Sequence, residues 1–350
     1  MGSFIKNLEF WVQKSMRNNF VNNENVSPVF EPLEKERLLN DREIARTIIK
    51  DFNIEKVEET YNLLNDDYSR DLLIQVFIYK FFLGPSKHKL PLADKILWME
   101  MFDIEKLCKK EEAIQVPGFI LNLFDLSKIG HNYRIFSTAE SLFLKYISGE
   151  YEYRKNNINF MAEEGDYVID GGAYVGDTTL YFADLVGEKG KVFSFEFEDG
   201  NLITFNKNME LNPHLQNRIQ NFKNALWSNS KEFLYSLPAG PGSSVTMEEP
   251  PYYTNKIPSK SIDDLVEEQN ISKIDFIKLD IEGAELECLK GAKKTIDKFK
   301  PKLAVCLYHK PEDFTTIPQY LAEIHPYYNF YMNHHTAYVW ETVLYAVPKK

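Results

Sequence analysis

The chain has 350 residues, enough for about two domains whose cores need no covalent staples. It carries 41 Lys and Arg against 52 Asp and Glu, a formal net charge of −11, which excludes nucleic acid or another bulk polyanion as the main partner. Three widely spaced cysteines, Cys108, Cys288 and Cys306, exclude a disulfide scaffold and a clustered zinc site and fit a reducing, cytoplasmic setting.

No apolar run reaches the roughly 18 residues that span a bilayer. The first residues read as an amphipathic helix, with Ile5, Leu8, Trp11 and Val12 on one face and Lys6, Lys14 and Arg17 elsewhere. Asn7, Glu9 and Lys14 break any signal-peptide stretch, and Lys6 fails the myristoylation pattern. This helix is expected to pack on its own domain or on a second copy of the chain, which leaves a homodimer open. From Leu33 to Ile147, apolar spacings of three and four predict helices: Ile44, Ile48 and Ile49, then Leu72, Leu73, Val76 and Phe77. Asp66 or Asp67 would cap the second group and Gly84-Pro85 would stop it. With no metal spacing or nucleophile motif there, residues 1–150 are expected to form a mostly helical N-terminal domain serving as lid, support or oligomerisation unit. The polar stretch Tyr151–Glu164 marks the junction with a second domain over residues 151–350.

The rhythm then changes. Short β-rich runs at Tyr167–Asp170, Lys191–Phe197, Ile219–Asn224, Asp275–Asp280 and Lys302–Tyr308 alternate with amphipathic segments, the pattern of a parallel sheet covered by helices. Tyr328–Asn333 and Glu341–Val347 are only seven residues apart, too close for a crossover helix, so they should pair antiparallel. The predicted fold is α/β, a seven-stranded mixed sheet with an antiparallel C-terminal hairpin. That is the Rossmann-like arrangement of class I S-adenosylmethionine (SAM) dependent methyltransferases, whereas dinucleotide-binding sheets usually end on parallel strands.

Three motifs share one crevice. In YVIDGGAYVGDTT (Tyr167–Thr179) a strand delivers Asp170, Gly171 and Gly172 turn the chain, and Gly176 opens a helix. Glycine lets the backbone turn tightly and approach a ligand, and the helix N-terminus offers unpaired N–H groups. Gly171, Ala173 and Gly176 also satisfy the relaxed dinucleotide fingerprint. Glu196 ends the next strand, 26 residues after Asp170, where a carboxylate accepts both ribose hydroxyls. These two motifs imply an adenosine-containing cofactor without fixing which. In IDFIKLDIEGAELECLKGA (Ile274–Ala292) the strand end delivers Asp280, Glu282 and Gly283. Two carboxylates so close together are costly to leave unpaired and should face a ligand, water or a cation.

The ordered set VIDGGAYVGDTT, FSFEFED, SIDDLVEE, IDFIKLDIEGAELECLKGA, LYHKPEDF (Leu307–Phe314), FYMNHH (Phe330–His335) and WETVLYAVP (Trp340–Pro348) resembles the FkbM family of SAM-dependent methyltransferases from about Glu150 onward. LLNDDYSRDLLIQVFIYKFFLG (Leu63–Gly84) is similar to the helical N-terminal region of some bacterial members. The resemblance implies SAM as cofactor, bound by the loop of Asp170, Gly171, Gly172, Ala173, Tyr174, Gly176, Asp177 and Thr178. It places Glu196 on the ribose, Asn224 and Ala225 on the adenine side, and Asp280 beside the methyl group. Tyr174 stands where many members have Asn, and Phe197 where Pro often follows the ribose carboxylate.

Family members commonly methylate hydroxyls, so the implied function is methyl transfer to a hydroxyl of a sugar or glycoconjugate. A neutral hydroxyl is a poor nucleophile and a nearby base helps. His309, after the fifth strand, is the first choice, with Asp280 orienting it or the acceptor. Tyr252 and Tyr253, in the Pro/Gly/Ser-rich insertion Leu237–Lys260, are candidate sugar-stacking rings; Glu282, His334 and His335 complete the expected acceptor site. Asp280, Glu282, His309 and His335 also offer ligands for a divalent cation, but their spacing matches no recognised set and no metal is expected. Two rivals are an NAD(P)-dependent oxidoreductase using the same crevice, against which the C-terminal hairpin speaks, and a SAM-binding protein without catalysis whose helical half docks on partners.

Overall fold

The computed structural model describes residues 2–16, 54–83, 88, 90, 103–116, 118–237, 239, 242–253 and 255–349. Ile44, Ile48, Ile49 and the Gly84-Pro85 stop lie outside them. Helices α1 (Gly2–Met16), α2 (Ile54–Leu63) and α3 (Asp67–Ile78) come first. Asp66 rather than Asp67 caps α3, its side chain accepting from Ser69 N at 2.8 Å. Strands β1 (Lys109–Val116), β2 (Phe119–Asp125) and β3 (Arg134–Ser137) then form an antiparallel sheet. This corrects the expectation of helices as far as Ile147. The sequence of β1, KKEEAIQV, is exposed through its first five residues. No apolar alternation marks it, and it is a strand because β2 pairs with it. Thr138 caps the short helix α4 (Ala139–Leu142).

The remaining elements are β4 (Tyr167–Gly171), α5 (Asp177–Leu185), β5 (Lys191–Phe195), α6 (Asp199–Leu211), β6 (Ile219–Phe222), β7 (Ala225–Leu226), β8 (Phe233–Leu237), β9 (Ser244–Thr246), β10 (Lys256–Lys260), α7 (Ile262–Glu268), β11 (Phe276–Leu279), α8 (Glu285–Lys290), α9 (Lys293–Phe299), β12 (Lys302–Cys306), α10 (Asp313–Ile324), β13 (Tyr328–His334) and β14 (Thr342–Pro348). Seven strands make one sheet in the order β13-β14-β12-β11-β4-β5-β6. Only β14 runs against its neighbours. Along the central strands alternate side chains enter two cores, Ile169, Ile277, Leu303 and Val305 on one face, Val168, Phe276, Ala304 and Cys306 on the other. Burial on both faces is why these strands read as continuous apolar runs. The chain moves outward from β4 through β5 to β6, then returns to the opposite side of β4 with β11. That reversal opens a crevice above the carboxyl ends of β4 and β11, where ligands of open α/β sheets bind.

Part of the insertion expected as a loop is strand, β9 and β10. β7 to β10 form a second sheet, β7-β10-β8-β9, around Ala225, Leu234 and Ile257. At the far edge of the main sheet, α3 and the turn before it cover β13. Asn65 N donates to Phe330 O at 2.8 Å, Phe330 N donates to Asn65 Oδ1 at 2.6 Å, and Met332 N donates to Ser69 Oγ at 2.9 Å. As expected of an amphipathic helix, α1 buries Phe4, Leu8 and Val12, which join Leu73, Phe77 and Phe330 in one core. Among the described residues no helix is long and apolar enough to cross a membrane.

Candidate active site

Asp170 at the end of β4 is fully buried. It accepts from the Thr178 hydroxyl at 2.9 and 3.0 Å and from the Thr179 hydroxyl at 2.6 Å, and Lys278 Nζ stands 3.4 Å away. Burial pushes its carboxyl up despite these partners. The bonds pin the first turn of α5 to the strand. Gly172 turns the chain at φ 83°, and a Cβ there would lie 1.9 Å from the Asp280 carbonyl oxygen, so no other residue fits. Lys278 Nζ donates to the carbonyls of Gly171 and Gly172 at 2.9 and 2.7 Å, and Ala173 N donates to Phe195 O at 3.0 Å. Tyr174 is held left-handed at φ 46°, a conformation uncommon for a bulky side chain.

Above this turn lies a cavity of about 330 Å³, within the range of small-molecule sites. Of the residues expected to bind cofactor, Gly172, Tyr174, Asp177, Thr178, Glu196, Asn224, Ala225 and Asp280 line it. Asp170, Gly171, Ala173 and Gly176 stand behind the wall and shape it. Glu196 Oε1 accepts from Phe197 N and Glu198 N, both at 2.7 Å, and Asn201 adds a side-chain hydrogen bond. Burial pushes its carboxyl up to about 7. Asn224 Nδ2 donates to Pro258 O at 3.1 Å, tying this wall to β10. Asp177 accepts from Ser141 Oγ and stands 3.4 Å from Lys145 Nζ. Burial raises its carboxyl, but Lys145 and Ser141 outweigh burial and hold it below the usual range.

The opposite wall is built from the ends of β11 and β12. Asp280 Oδ1 accepts from Tyr308 OH at 2.8 Å and Oδ2 from Tyr151 OH at 3.1 Å. His309 Nε2 lies 3.3 Å from Asp280 Oδ1 and 3.4 Å from Glu282 Oε2, while Nδ1 lies 3.0 Å from Glu285 Oε1. Burial pushes the imidazole down, but Glu285, Asp280 and Glu282 outweigh burial and hold its pKa well above the ordinary value. The three carboxylates enclose the ring that was the first choice of base.

Four expected acceptor contacts fall elsewhere. His334 and His335 are buried beneath the hairpin, bonded to Thr342 Oγ1 at 2.8 Å, and to Ser148 Oγ and Tyr345 OH both at 2.7 Å. Burial pushes both pKa values down to about 3, and neither ring lines the cavity. Tyr252 is 86% exposed, and Tyr253 packs edge-on against Tyr235 with ring centroids 4.9 Å apart. Neither lines the cavity, which the insertion reaches through Ser243 and Val245. Sequence reasoning missed Lys145, Tyr151, Tyr308, Trp340 and Glu341, all in the wall. Trp340 and Glu341 sit in the hairpin loop beside the two histidines that were singled out. Burial, with Glu150 close by, pushes the Glu341 carboxyl well up.

The strand order and the site at its switch point make a mixed α/β fold that the chain shares with a solved methyltransferase. Residues 170–332 match the family model of the Methyltransferase FkbM domain, which bears out the resemblance read from the sequence. A methyltransferase domain fits S-adenosyl-L-methionine, the cofactor expected from the sequence. The methyltransferase FkbM from Methylobacillus flagellatus KT is similar at a TM-score of 0.53 and 21% identity, over 86% of this chain and 60% of that one. The chain therefore spans about 60% of the length of that protein. Fibrillarin from Aeropyrum pernix, solved with bound S-adenosyl-L-methionine, is similar at a TM-score of 0.40 and 12% identity, over 67% of this chain and 99% of that one. A SAM dependent methyltransferase from Aquifex aeolicus gives 0.32 and 14% identity, over 53% and 84%. At such identities the likeness is one of fold. No curated protein matches the chain.

Proposed function

We propose that the chain transfers a methyl group from SAM to a hydroxyl of a sugar or glycoconjugate. The observation that carries this reading is a single cavity with Glu196 at one end and the Asp280–Glu282 edge at the other. The glycine turn and Glu196 would hold the nucleoside, since a carboxylate accepts from both ribose hydroxyls. The fit is supported by the cradle at Gly172, which any Cβ would fill. Further polar groups in the cavity wall (Thr138, Glu140, Ser243 and Tyr308) suit a polyhydroxylated ligand, and Trp340 adds an aromatic ring to that wall.

An acceptor hydroxyl oxygen attacks the methyl carbon, the C–O bond forms, and the C–S pair stays on sulfur as a neutral thioether. The sulfonium is already a good leaving group. The protein's contribution is alignment and exclusion of water, worth roughly 7–11 kcal/mol at best. The hydroxyl proton leaves at the edge where Asp280, Glu282 and His309 meet.

Labelled SAM with an acceptor panel, beginning with nucleotide sugars and simple glycosides, tests the reading. Label is expected in a saccharide, and transfer only to non-saccharide acceptors would replace the acceptor class. The oxidoreductase rival is separated by thermal protection: SAM or S-adenosylhomocysteine should raise the melting temperature, while protection by NAD(H) alone would overturn methyl transfer.

A further inference from the structure

Asp280, Glu282 and Glu285 crowd around one imidazole at the acceptor edge, and their polar atoms are poorly matched to one another. His309 is only 6% exposed, yet neither ring nitrogen has an aligned hydrogen-bond partner. Glu285 Oε2 is buried without a partner as well. Glu282 is held left-handed at φ 54°. The nearby lysines are engaged elsewhere, Lys278 with Asp170 and the Gly171 and Gly172 carbonyls, Lys310 with the Gly283 carbonyl. Buried polar groups left this way in a native fold call for an explanation such as a bound ion.

We infer that Asp280, Glu282 and His309 hold a divalent metal cation at the acceptor end of the cavity. One ligand atom from each, Asp280 O, Glu282 O and His309 N, lies within 4.8 Å of the others. His309 Nε2 stands 3.3 and 3.4 Å from the two carboxylate oxygens. Those separations are too long for good hydrogen bonds. They match the roughly 3.0–3.4 Å between ligands that sit about 2.1 Å from a shared ion. Glu285 Oε1, 3.0 Å from Nδ1, occupies the place of the carboxylate that keeps the outer nitrogen of a metal-binding histidine protonated and turns the inner one toward the ion. Glu285 is itself fixed by Ile281 N, which donates to it at 2.8 Å. Two carboxylates and one imidazole suit Mn²⁺ or Mg²⁺ better than a thiol-seeking metal.

The three ligands approach from the β11–β12 side, and Asp280 and Glu282 also face the cavity. The remaining positions of the ion would hold water or the acceptor. Its role in catalysis rests on the methyl-transfer reading. A hydroxyl bound to the ion loses its proton more readily, the proton passes to water, and the alkoxide then attacks the methyl carbon. The site thereby needs no side-chain base.

The test is binding rather than turnover. Wild type, Glu282→Gln and Glu285→Gln would be titrated with Mn²⁺ by the loss of the free-ion EPR signal, and with SAM by calorimetry on the same preparations. One Mn²⁺ per chain is expected, bound at least tenfold more weakly by Glu282→Gln and roughly ten- to hundredfold more weakly by Glu285→Gln. SAM affinity should stay within about twofold, which also certifies that the variants fold. Wild type that binds SAM but no Mn²⁺, or Mn²⁺ affinity unmoved in both variants, overturns the inference and leaves methyl transfer standing. Mn²⁺ binding without SAM binding does the reverse.

Discussion

The two ends of the cavity differ in how far the protein completes them by itself. At the β4–β5 end, Asp170 takes both threonine hydroxyls with Lys278 beside it, and Glu196 takes two backbone N–H groups. At the β11–β12 end, both ring nitrogens of His309 and one oxygen of Glu285 lack aligned partners. The first end is shaped before any ligand arrives, so binding there meets little reorganisation. The second carries polar groups whose matching depends on what it binds.

The largest effect that would sharpen this contrast comes from Asp170→Ala. Lys278 is fully buried and would lose its counter-ion, so unfolding free energy in urea should drop by about 3–5 kcal/mol. A loss below about 1 kcal/mol would mean that the glycine end is not held as described. Next comes Glu196→Gln, expected to weaken SAM binding by about 1–3 kcal/mol in calorimetry. With its pKa raised from 4.5 to about 7, wild-type Glu196 is a carboxylate above that pH. SAM affinity should therefore be full above about 7 and fall as the pH drops through it, by up to about tenfold per unit. The Gln variant should be flat over that range, and a wild type equally flat would take the ribose from Glu196. Smallest is Glu282→Gln in the absence of metal. Burial raises the Glu282 carboxyl, with Asp280 and Glu285 adding to it, so neutralising it should leave urea stability unchanged or slightly higher, within about 1 kcal/mol. A clear loss would show the acceptor end to be as self-sufficient as the other.

The sequence revealed what local pattern determines. β4, β5, β11 and β12 announce themselves as apolar runs, the glycine turn by its spacing, and Glu196 by its place at a strand end. The hairpin was legible because seven residues cannot hold a crossover. Long-range features were not. β1 carries its charges outward on both sides and becomes a strand only through β2. His334 and His335 look like site residues by position, yet both are buried beneath the hairpin while Trp340 and Glu341 face the cavity. Tyr151 and Lys145 belong to a stretch with no motif, and only folding brings them to Asp280 and Asp177. The sequence brought His309, Asp280 and Glu282 to one edge, but nothing in its pattern added Glu285 at the start of α8.

The cover over β13 has a consequence for any shortened form of the protein. Asn65 and Ser69 occupy the outward-facing amides of Phe330 and Met332. A fragment beginning near residue 150 would bare that rim while keeping every motif of the methyltransferase half. Open rims of this kind template the addition of further chains, so such a fragment should come out of expression as insoluble assemblies. Helix α3 and the turn before it are then a built-in guard against self-polymerisation.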